Sequence, residues 1–254
     1  MTWRALKAEL DRWQADGRIA TLWWRDDDAS TATAALDDLL AMRRDTNVPL
    51  ALAVIPAAAD QSLRMTLRDE PVAVLQHGWM HRNHATPPHG KAEFGRDRRH
   101  DAMIAELRAG RERLANLFSA LPVLVPPWNR IDPDLPAALP GLGITGLSTI
   151  HPRQPAPLGL TVVNTHIDVM SWVTRRFGGD DAALAAAIGH LAGRREATVD
   201  ADEPTGILTH HLAHDVHAWE FIRRFVGETA AHPAVRWVSA EALFGGRPGA
   251  PRGG

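Results

Sequence analysis

The feature that most constrains the fold is an alternation of short apolar segments with longer amphipathic segments along most of the chain. Eight apolar segments have the length of strands: 19–24, 50–55, 72–76, 122–125, 143–148, 160–165, 206–210 and 235–239. Between them, apolar residues at three- and four-residue spacing predict helices over 31–44, 100–118, 180–195 and 217–230. Because strands that alternate with helices usually pair in parallel, the sequence predicts an α/β fold, either a barrel or a doubly wound sheet.

The two ends of the chain differ from this central region. Residues 1–18 have apolar side chains at helical spacing, which predicts an N-terminal amphipathic helix packed on the domain. Residues 245–254 are almost entirely Gly, Pro and Arg, a composition typical of a disordered tail. The region between them contains no linker-like stretch and no internal repeat, so we expect a single domain over residues 19–244.

Composition narrows the possible partners and cofactors. The net charge of −2 and the pI of about 6.7 argue against nucleic acid and anionic membranes as partners. The absence of Cys excludes disulfides, thiolate metal sites and a cysteine nucleophile, so any metal must be bound by His, Asp or Glu. Neither a membrane-spanning apolar run nor a secretory signal is recognisable, and we expect a cytoplasmic protein.

Histidine is unevenly distributed. Of the 13 histidines, four lie in residues 77–89 and four in residues 210–217. Even placement would put only about one histidine in these two windows together. Because histidine is the residue most used in metal binding and proton transfer, the two windows are candidate sites of chemistry.

Polar clusters follow five of the predicted strands. Reactive groups in α/β folds gather beyond the carboxyl ends of the strands, and here those ends carry Arg25 to Asp28, His77 to His81, Pro126 to Arg130, His166 to Trp172, and His210 with His211. The three aspartates could simply cap the next helix, but adjacent carboxylates repel one another unless a cation compensates.

The spacing of His77 and His81 allows both imidazoles to reach one ion, and an upstream Asp would complete a three-ligand site. Gly78 follows His77, so the Glu of the H-E-x-x-H protease motif is missing. His84 is a candidate substrate contact, or else a loop or supporting residue. Four tryptophans, which could alternatively be core residues, lie beside the clusters and suggest sugar binding: Trp24, Trp79, Trp128 and Trp172.

Taken in order, these motifs resemble those of the polysaccharide deacetylases of the NodB-homology group, carbohydrate esterase family 4, over residues 19–240. The resemblance implies a distorted (β/α)7-type barrel. It also implies that Asp27 is the general base and Asp28 a metal ligand, with Asp26 and Asp27 as the alternative register. His77 and His81 correspond to the other two ligands.

The third motif is matched by Pro126-Pro127-Trp128-Asn129, in which Pro127, Trp128 and Asn129 are candidate substrate contacts. Val125 stands where the family has an Arg that steadies the catalytic Asp, and Arg25 or Arg130 could replace that Arg.

The fourth motif resembles Asp168 with Trp172, an expected catalytic residue and a substrate contact. The fifth motif resembles Leu208-Thr209-His210, which makes His210 the general acid, although the adjacent His211 is an alternative. Strand alternation allows only one of the two to point into the site.

The resemblance implies a metal-dependent hydrolase that removes acetyl groups from an N-acetylated sugar or polysaccharide, with a small glycan favoured in the cytoplasm. Zinc is the favoured ion for mixed nitrogen and oxygen ligands, and Co²⁺, Ni²⁺ and Mn²⁺ also fit. Two alternatives remain at this point: a hydrolase of another small amide or cyclic imide on the same barrel, and an inactive carbohydrate-binding relative. The sequence does not determine the oligomeric state.

Overall fold

A computed structural model describes residues 1–245 and contains eleven strands and seven α-helices in that range. The strands are β1 Ala20–Ala29, β2 Ala51–Val54, β3 Ala73–His77, β4 Val123–Val125, β5 Gly146–Leu147, β6 Thr161–Val162, β7 Ile167–Asp168, β8 Met170–Ser171, β9 Arg176–Phe177, β10 Thr205–Thr209 and β11 Val235–Trp237. The helices are α1 Trp3–Ala15, α2 Ala34–Thr46, α3 Gln61–Thr66, α4 His100–Leu117, α5 Asp180–Arg195, α6 Val216–Ala230 and α7 Ala240–Phe244.

Nine of the strands form one parallel sheet, and β8 and β9 form a separate antiparallel hairpin. The order in the sheet is β6-β5-β4-β3-β2-β1-β10-β7, and β11 pairs with the start of β1 on the side where β2 pairs with its end. The sheet curls into a distorted barrel, which confirms the predicted fold class. All eight predicted strands and the predicted helices are present; the short elements β7, β8, β9, α3 and α7 were not predicted.

Alternation along β1 separates two apolar layers. Leu22 and Trp24 belong to the layer between the sheet and the outer helices, whereas Trp23 faces the barrel interior. The interior layer includes three alanines of β2 and β3 and is closed at one end by Phe244 of α7. This packed interior leaves the opposite end, where the strands end and the polar clusters begin, free to form a site.

The N-terminal helix predicted within residues 1–18 is α1, which packs on α5. Leu6, Leu10 and Trp13 are buried, and the Trp13 indole N–H donates to the Leu191 carbonyl oxygen at 3.2 Å. Of the tail predicted over residues 245–254, all but Gly245 lies outside the described residues. No described helix is both long and apolar enough to cross a membrane.

Candidate metal centre and active site

The end of β1 directs three consecutive aspartates to two different places. The register of β1 against β2 shifts between Asp26 and Ala29, and Asp28 has a positive φ of 76°. Such an irregularity interrupts the strict alternation of a strand. As a result, Asp27 and Asp28 both line one cavity, whereas Asp26 points elsewhere.

Asp26 is fully buried and contacts the strand end of β10. Its carboxylate accepts hydrogen bonds from the Thr209 hydroxyl at 2.6 Å and the His211 backbone N–H at 3.0 Å, and it also pairs with the His211 imidazole. Burial acts to raise the pKa of Asp26, but the charge and hydrogen bond of His211 outweigh it and lower that pKa. Asp26 therefore forms a buried ion pair with His211 and does not line the cavity, where the alternative register would require it as the base.

Asp28, His77 and His81 bring three potential ligand atoms together. The Asp28 Oδ1 atom lies 3.1 Å from His77 Nε2 and 3.3 Å from His81 Nε2. Two ligand atoms that each lie about 2.05 Å from a tetrahedral zinc ion are about 3.3 Å apart, so this spacing fits a zinc site. The three residues form one of two clusters with metal-binding potential in the described part of the chain.

Hydrogen bonds and neighbouring charges set the protonation of the cluster. The His77 Nδ1–H donates to the Val125 carbonyl oxygen at 3.0 Å, which directs the Nε2 atom at Asp28. Burial acts to raise the pKa of Asp28, but the hydrogen bond and charge of His77 hold it well below its usual range. Burial lowers the pKa of His81, and the charge of His77 adds to this effect. Burial acts to lower the pKa of His77, but the charges of Asp27 and Asp28 outweigh it and raise that pKa, so a metal bound here would displace a proton from His77 Nε2.

The loop that carries these histidines is fixed by a buried carboxylate that was not predicted. Glu93 accepts hydrogen bonds from the backbone N–H groups of Trp79, Met80 and Arg82 at 3.0, 2.9 and 3.3 Å. Gly78 has a φ of 62°, and a Cβ atom there would lie only 2.0 Å from Glu93 Oε2. The residue that excludes the protease motif is therefore required by the shape of the turn.

Arg25, one of the two candidates to replace the third-motif arginine, pairs with Asp27. Its Nε and Nη2 atoms donate to the two oxygens of Asp27 at 2.8 and 3.0 Å, and its guanidinium also donates to Ser148 Oγ and Asn129 Oδ1, both at 2.6 Å. Both members of the ion pair are buried. Arg130, the other candidate, instead donates to the Lys91 carbonyl oxygen.

The third motif forms a tight turn beside the metal ligands. Trp128 and Asn129 have positive φ values of 56° and 54°, which non-glycine residues adopt only at some cost. The Trp128 ring lies 4.3 Å from the His81 ring, centroid to centroid, and Asn129 contacts Arg25. Pro127 was predicted to contact substrate, but it does not line the cavity. It is buried against Gly78 and supports the turn from behind.

His210 and Asp168 face the cavity from the other side. The Trp172 indole N–H donates to Asp168 Oδ2 at 2.8 Å, and the Trp172 ring packs edge-on against His210 with a centroid distance of 4.5 Å. Burial raises the pKa of Asp168. His210 lines the cavity, whereas the side chain of His211 lies against Asp26, so the expected division between the two histidines is present.

These side chains surround a cavity of about 610 Å³. Its lining comprises Asp27, Asp28, His77, His81, Lys91, Trp128, Asn129, Arg130, Ile150, Asp168, Trp172, Arg175 and His210. Trp79 and His84, both predicted to contact substrate, are not in this set. Trp79 packs on an apolar cluster with Phe94, and the His84 backbone N–H donates to the Ala92 carbonyl oxygen at 2.9 Å within the same loop.

Comparison with solved structures identifies the fold. A family 4 acetyl xylan esterase from Clostridium thermocellum, in complex with a cobalt ion, gives a TM-score of 0.57 and 13% identity over 89% of this chain and 90% of that chain. A family 4 carbohydrate esterase from Streptomyces lividans, in complex with acetate, gives 0.57 and 16% over 92% and 98%. This chain has the carbohydrate esterase family 4 fold.

The same fold is also present in a mutant of a family 4 pseudoenzyme with restored enzymatic activity, with a TM-score of 0.58 and 10% identity over 89% of this chain and 68% of that one. No family sequence model and no curated protein matches the chain. The resemblance predicted from the five motifs is therefore confirmed at the level of fold.

Proposed function

We propose that this protein is a metal-dependent hydrolase that removes acetyl groups from N-acetylated sugars. The observation that carries the proposal is the pairing of two carboxylates with different partners at one cavity. Asp27 is held by Arg25, and the neighbouring Asp28 lies within 3.3 Å of the Nε2 atoms of His77 and His81. Cobalt and acetate in two proteins of the same fold agree with a metal site and an acetyl product.

Asp28, His77 and His81 would hold the ion, with zinc favoured by the mixed oxygen and nitrogen donors. When bound, a divalent metal polarises the acetamide carbonyl and lowers the pKa of a water molecule. The other groups of the cavity then have distinct tasks in positioning the amide and moving protons.

Asp27 acts as the general base. Arg25 donates one hydrogen bond to each carboxylate oxygen, which orients the group and leaves further lone pairs to accept a proton from the attacking water. The Trp128 backbone N–H, in the tight turn beside the metal ligands, would stabilise the negative charge that develops on the acetyl oxygen. The products of the proposed reaction are acetate and the free amine of the sugar.

His210 acts as the general acid. The amide C–N bond breaks only if the departing nitrogen receives a proton, because an amine anion is a very poor leaving group. His210 lines the cavity between Trp172 and Asp168, whereas His211 is paired with Asp26. This contrast favours His210 as the proton donor and gives His211 a supporting role.

Acetate release from N-acetylated sugars by the metal-loaded protein tests the activity. We expect release from N-acetylglucosamine derivatives or oligomers and none from simple amides or cyclic imides. The opposite selectivity would establish the alternative amide hydrolase. Sugar binding without acetate release would establish the inactive binding relative and contradict the proposal.

Two paired variants test the assignments. Protein purified without added metal should contain metal, and Asp28→Ala should contain much less; equal metal in both would remove Asp28 from the ligand set.

His210→Gln should lower kcat about 10² to 10⁴-fold, whereas His211→Gln should act mainly on stability. A greater loss of kcat in a folded His211→Gln protein would exchange the two roles.

A further inference from the structure

Three cationic side chains line the cavity without any function in the proposed chemistry. Lys91 comes from the loop between β3 and α4, Arg130 follows β4, and Arg175 lies in the turn between β8 and β9. All three are exposed at the edge of the cavity that holds the candidate catalytic residues. Three separate parts of the chain therefore bring positive charge to one concave surface.

None of the three cations forms an ion pair with a carboxylate in residues 1–245, and residues 246–254 contain no Asp or Glu. Other arginines are paired in this way, for example Arg98 with Glu106 and Arg153 with Asp200. Isolated exposed cations are ordinary, but the positive potentials of three that converge on the edge of one cavity add together there.

No carboxylate of the cavity forms an ion pair with these three cations. Asp27 is already paired with Arg25, and Asp28 is committed to the two histidines of the metal site. Asp168 accepts hydrogen bonds from the Trp172 indole and the Met170 backbone. The mouth of the cavity thus has three cations available to a ligand.

The side chain of Arg130 is held in place by a hydrogen bond to the loop that carries Lys91. Arg130 Nη1 donates to the Lys91 carbonyl oxygen at 3.1 Å, and a Cβ atom on Gly90 would lie 2.5 Å from the same nitrogen. Arg130 thereby ties the turn after β4 to the loop that carries Lys91. The remaining guanidinium donors stay available for a planar or tetrahedral anion, which such a fork binds well.

We propose that Lys91, Arg130 and Arg175 form an anion-binding subsite at the mouth of the cavity, and that the N-acetylated substrate carries a carboxylate or phosphate group. The identity of the ligand as an N-acetylated sugar rests on the proposed function, whereas the anion-binding subsite itself does not. Binding of the anionic group places the acetamide at the reactive centre. A neutral N-acetyl sugar lacks this anchor and binds more weakly.

Isothermal titration calorimetry tests the subsite without requiring turnover. The probes are N-acetylglucosamine 1-phosphate, N-acetylmuramic acid and neutral N-acetylglucosamine, which distinguish phosphate from carboxylate recognition. The metal-loaded protein should bind at least one anionic probe roughly tenfold or more tightly than the neutral sugar at low salt. The preference should diminish at high salt because exposed charges are screened.

The test variant is Lys91→Gln/Arg130→Gln/Arg175→Gln. The matched control, Arg4→Gln/Arg108→Gln/Arg236→Gln, removes three exposed charges outside the cavity lining and has the same net charge. The preference should disappear in the test variant and persist in the control, with neutral-sugar affinity unchanged in both. Arg175→Gln alone should weaken anion binding about fivefold and is protected from folding artefacts, because the Arg175 side chain makes no hydrogen bond in the described residues.

A parallel titration of metal-free protein separates this subsite from direct binding of the anion to metal. The preference for the anionic probe should survive metal removal. Equal affinity for anionic and neutral probes, a preference that depends only on metal, or an equal loss in the control variant would overturn the subsite. If the protein releases no acetate but still prefers the anionic probe in a way that depends on Lys91, Arg130 and Arg175, the proposed function is refuted and the subsite is supported.

Discussion

Removal of the Arg25 guanidinium is the sharpest perturbation of the site. Arg25 is fully buried and donates two hydrogen bonds to Asp27, at 2.8 and 3.0 Å, as well as bonds to Ser148 and Asn129. Arg25→Gln leaves the Asp27 carboxylate buried without its charge partner. Loss of one member of a buried ion pair usually costs about 3–5 kcal/mol, so we expect the free energy of unfolding to fall by that amount.

The cost should depend on the charge that is left behind. In Arg25→Gln/Asp27→Asn no carboxylate remains at that position, so the double variant should be more stable than the sum of the two single losses predicts. We expect a coupling free energy of at least about 2 kcal/mol from urea unfolding of the four proteins in the cycle. Strict additivity would refute the argument that Arg25 acts mainly through Asp27.

Arg25→Lys separates charge from geometry. Lysine retains the positive charge but cannot donate in parallel to both oxygens of Asp27 while also reaching Ser148 and Asn129. We expect it to recover part of the stability lost in Arg25→Gln but little of the acetate-release activity. Full recovery of kcat by lysine would mean that the orientation of Asp27 does not require the paired hydrogen bonds.

Three further predictions concern the surroundings of the site. Gly78→Ala should lower the free energy of unfolding by at least about 2 kcal/mol more than Gly17→Ala in urea titrations, because the two glycines have similar positive φ values but only the first Cβ meets Glu93. Equal losses would show that φ strain alone matters. Burial, with the charges of His166 and Arg194, lowers the pKa of His190 to about 2 from an ordinary 6.5. The unfolded chain therefore binds more protons below pH 6.5, and between about pH 7 and pH 5 the wild type should lose about 2 kcal/mol more than His190→Gln; parallel stability curves would contradict this. A chelator should lower the Tm of the metal-loaded wild type, because saturation at a hundred times Kd stabilises by about 2.7 kcal/mol, and should leave Asp28→Ala nearly unchanged; equal Tm shifts would place the metal elsewhere.

The sheet could be predicted because its strands are short apolar segments bounded by clear polar clusters. The strand ends also predicted which residues would meet, since the carboxyl ends of parallel strands lie at one end of a barrel. The short strands β7, β8 and β9 could not be predicted because two-residue strands have no periodicity. Nearness in sequence to His77 predicts Trp79 and His84 as substrate contacts, but neither side chain lines the cavity, because nearness along a loop does not determine which of its side chains face the site.

The order of the three aspartates required backbone geometry that periodicity does not contain. Alternation places Asp26 opposite Asp27 and would place Asp28 with Asp26, yet the positive φ at Asp28 and the register shift bring Asp28 to the cavity. The motif order suggested this register, but only the backbone shows its cause. The missed supporting residue, Glu93, accepts three backbone N–H groups, a role that leaves no pattern in the sequence.

The same strand geometry explains how Arg25 on β1 can take the place of an arginine at position 125 on β4, where this chain has Val125. Trp23, Arg25 and Asp27 are two residues apart along β1, so their side chains share the face that points into the barrel. Val125 points into the same interior from β4 and packs in its apolar layer, while its carbonyl oxygen orients His77. An arginine on either strand can reach the end of the barrel, and placing it on β1 fixes base and partner on one rigid element. Position 125 can therefore hold an apolar side chain, while its carbonyl oxygen still accepts the hydrogen bond from His77.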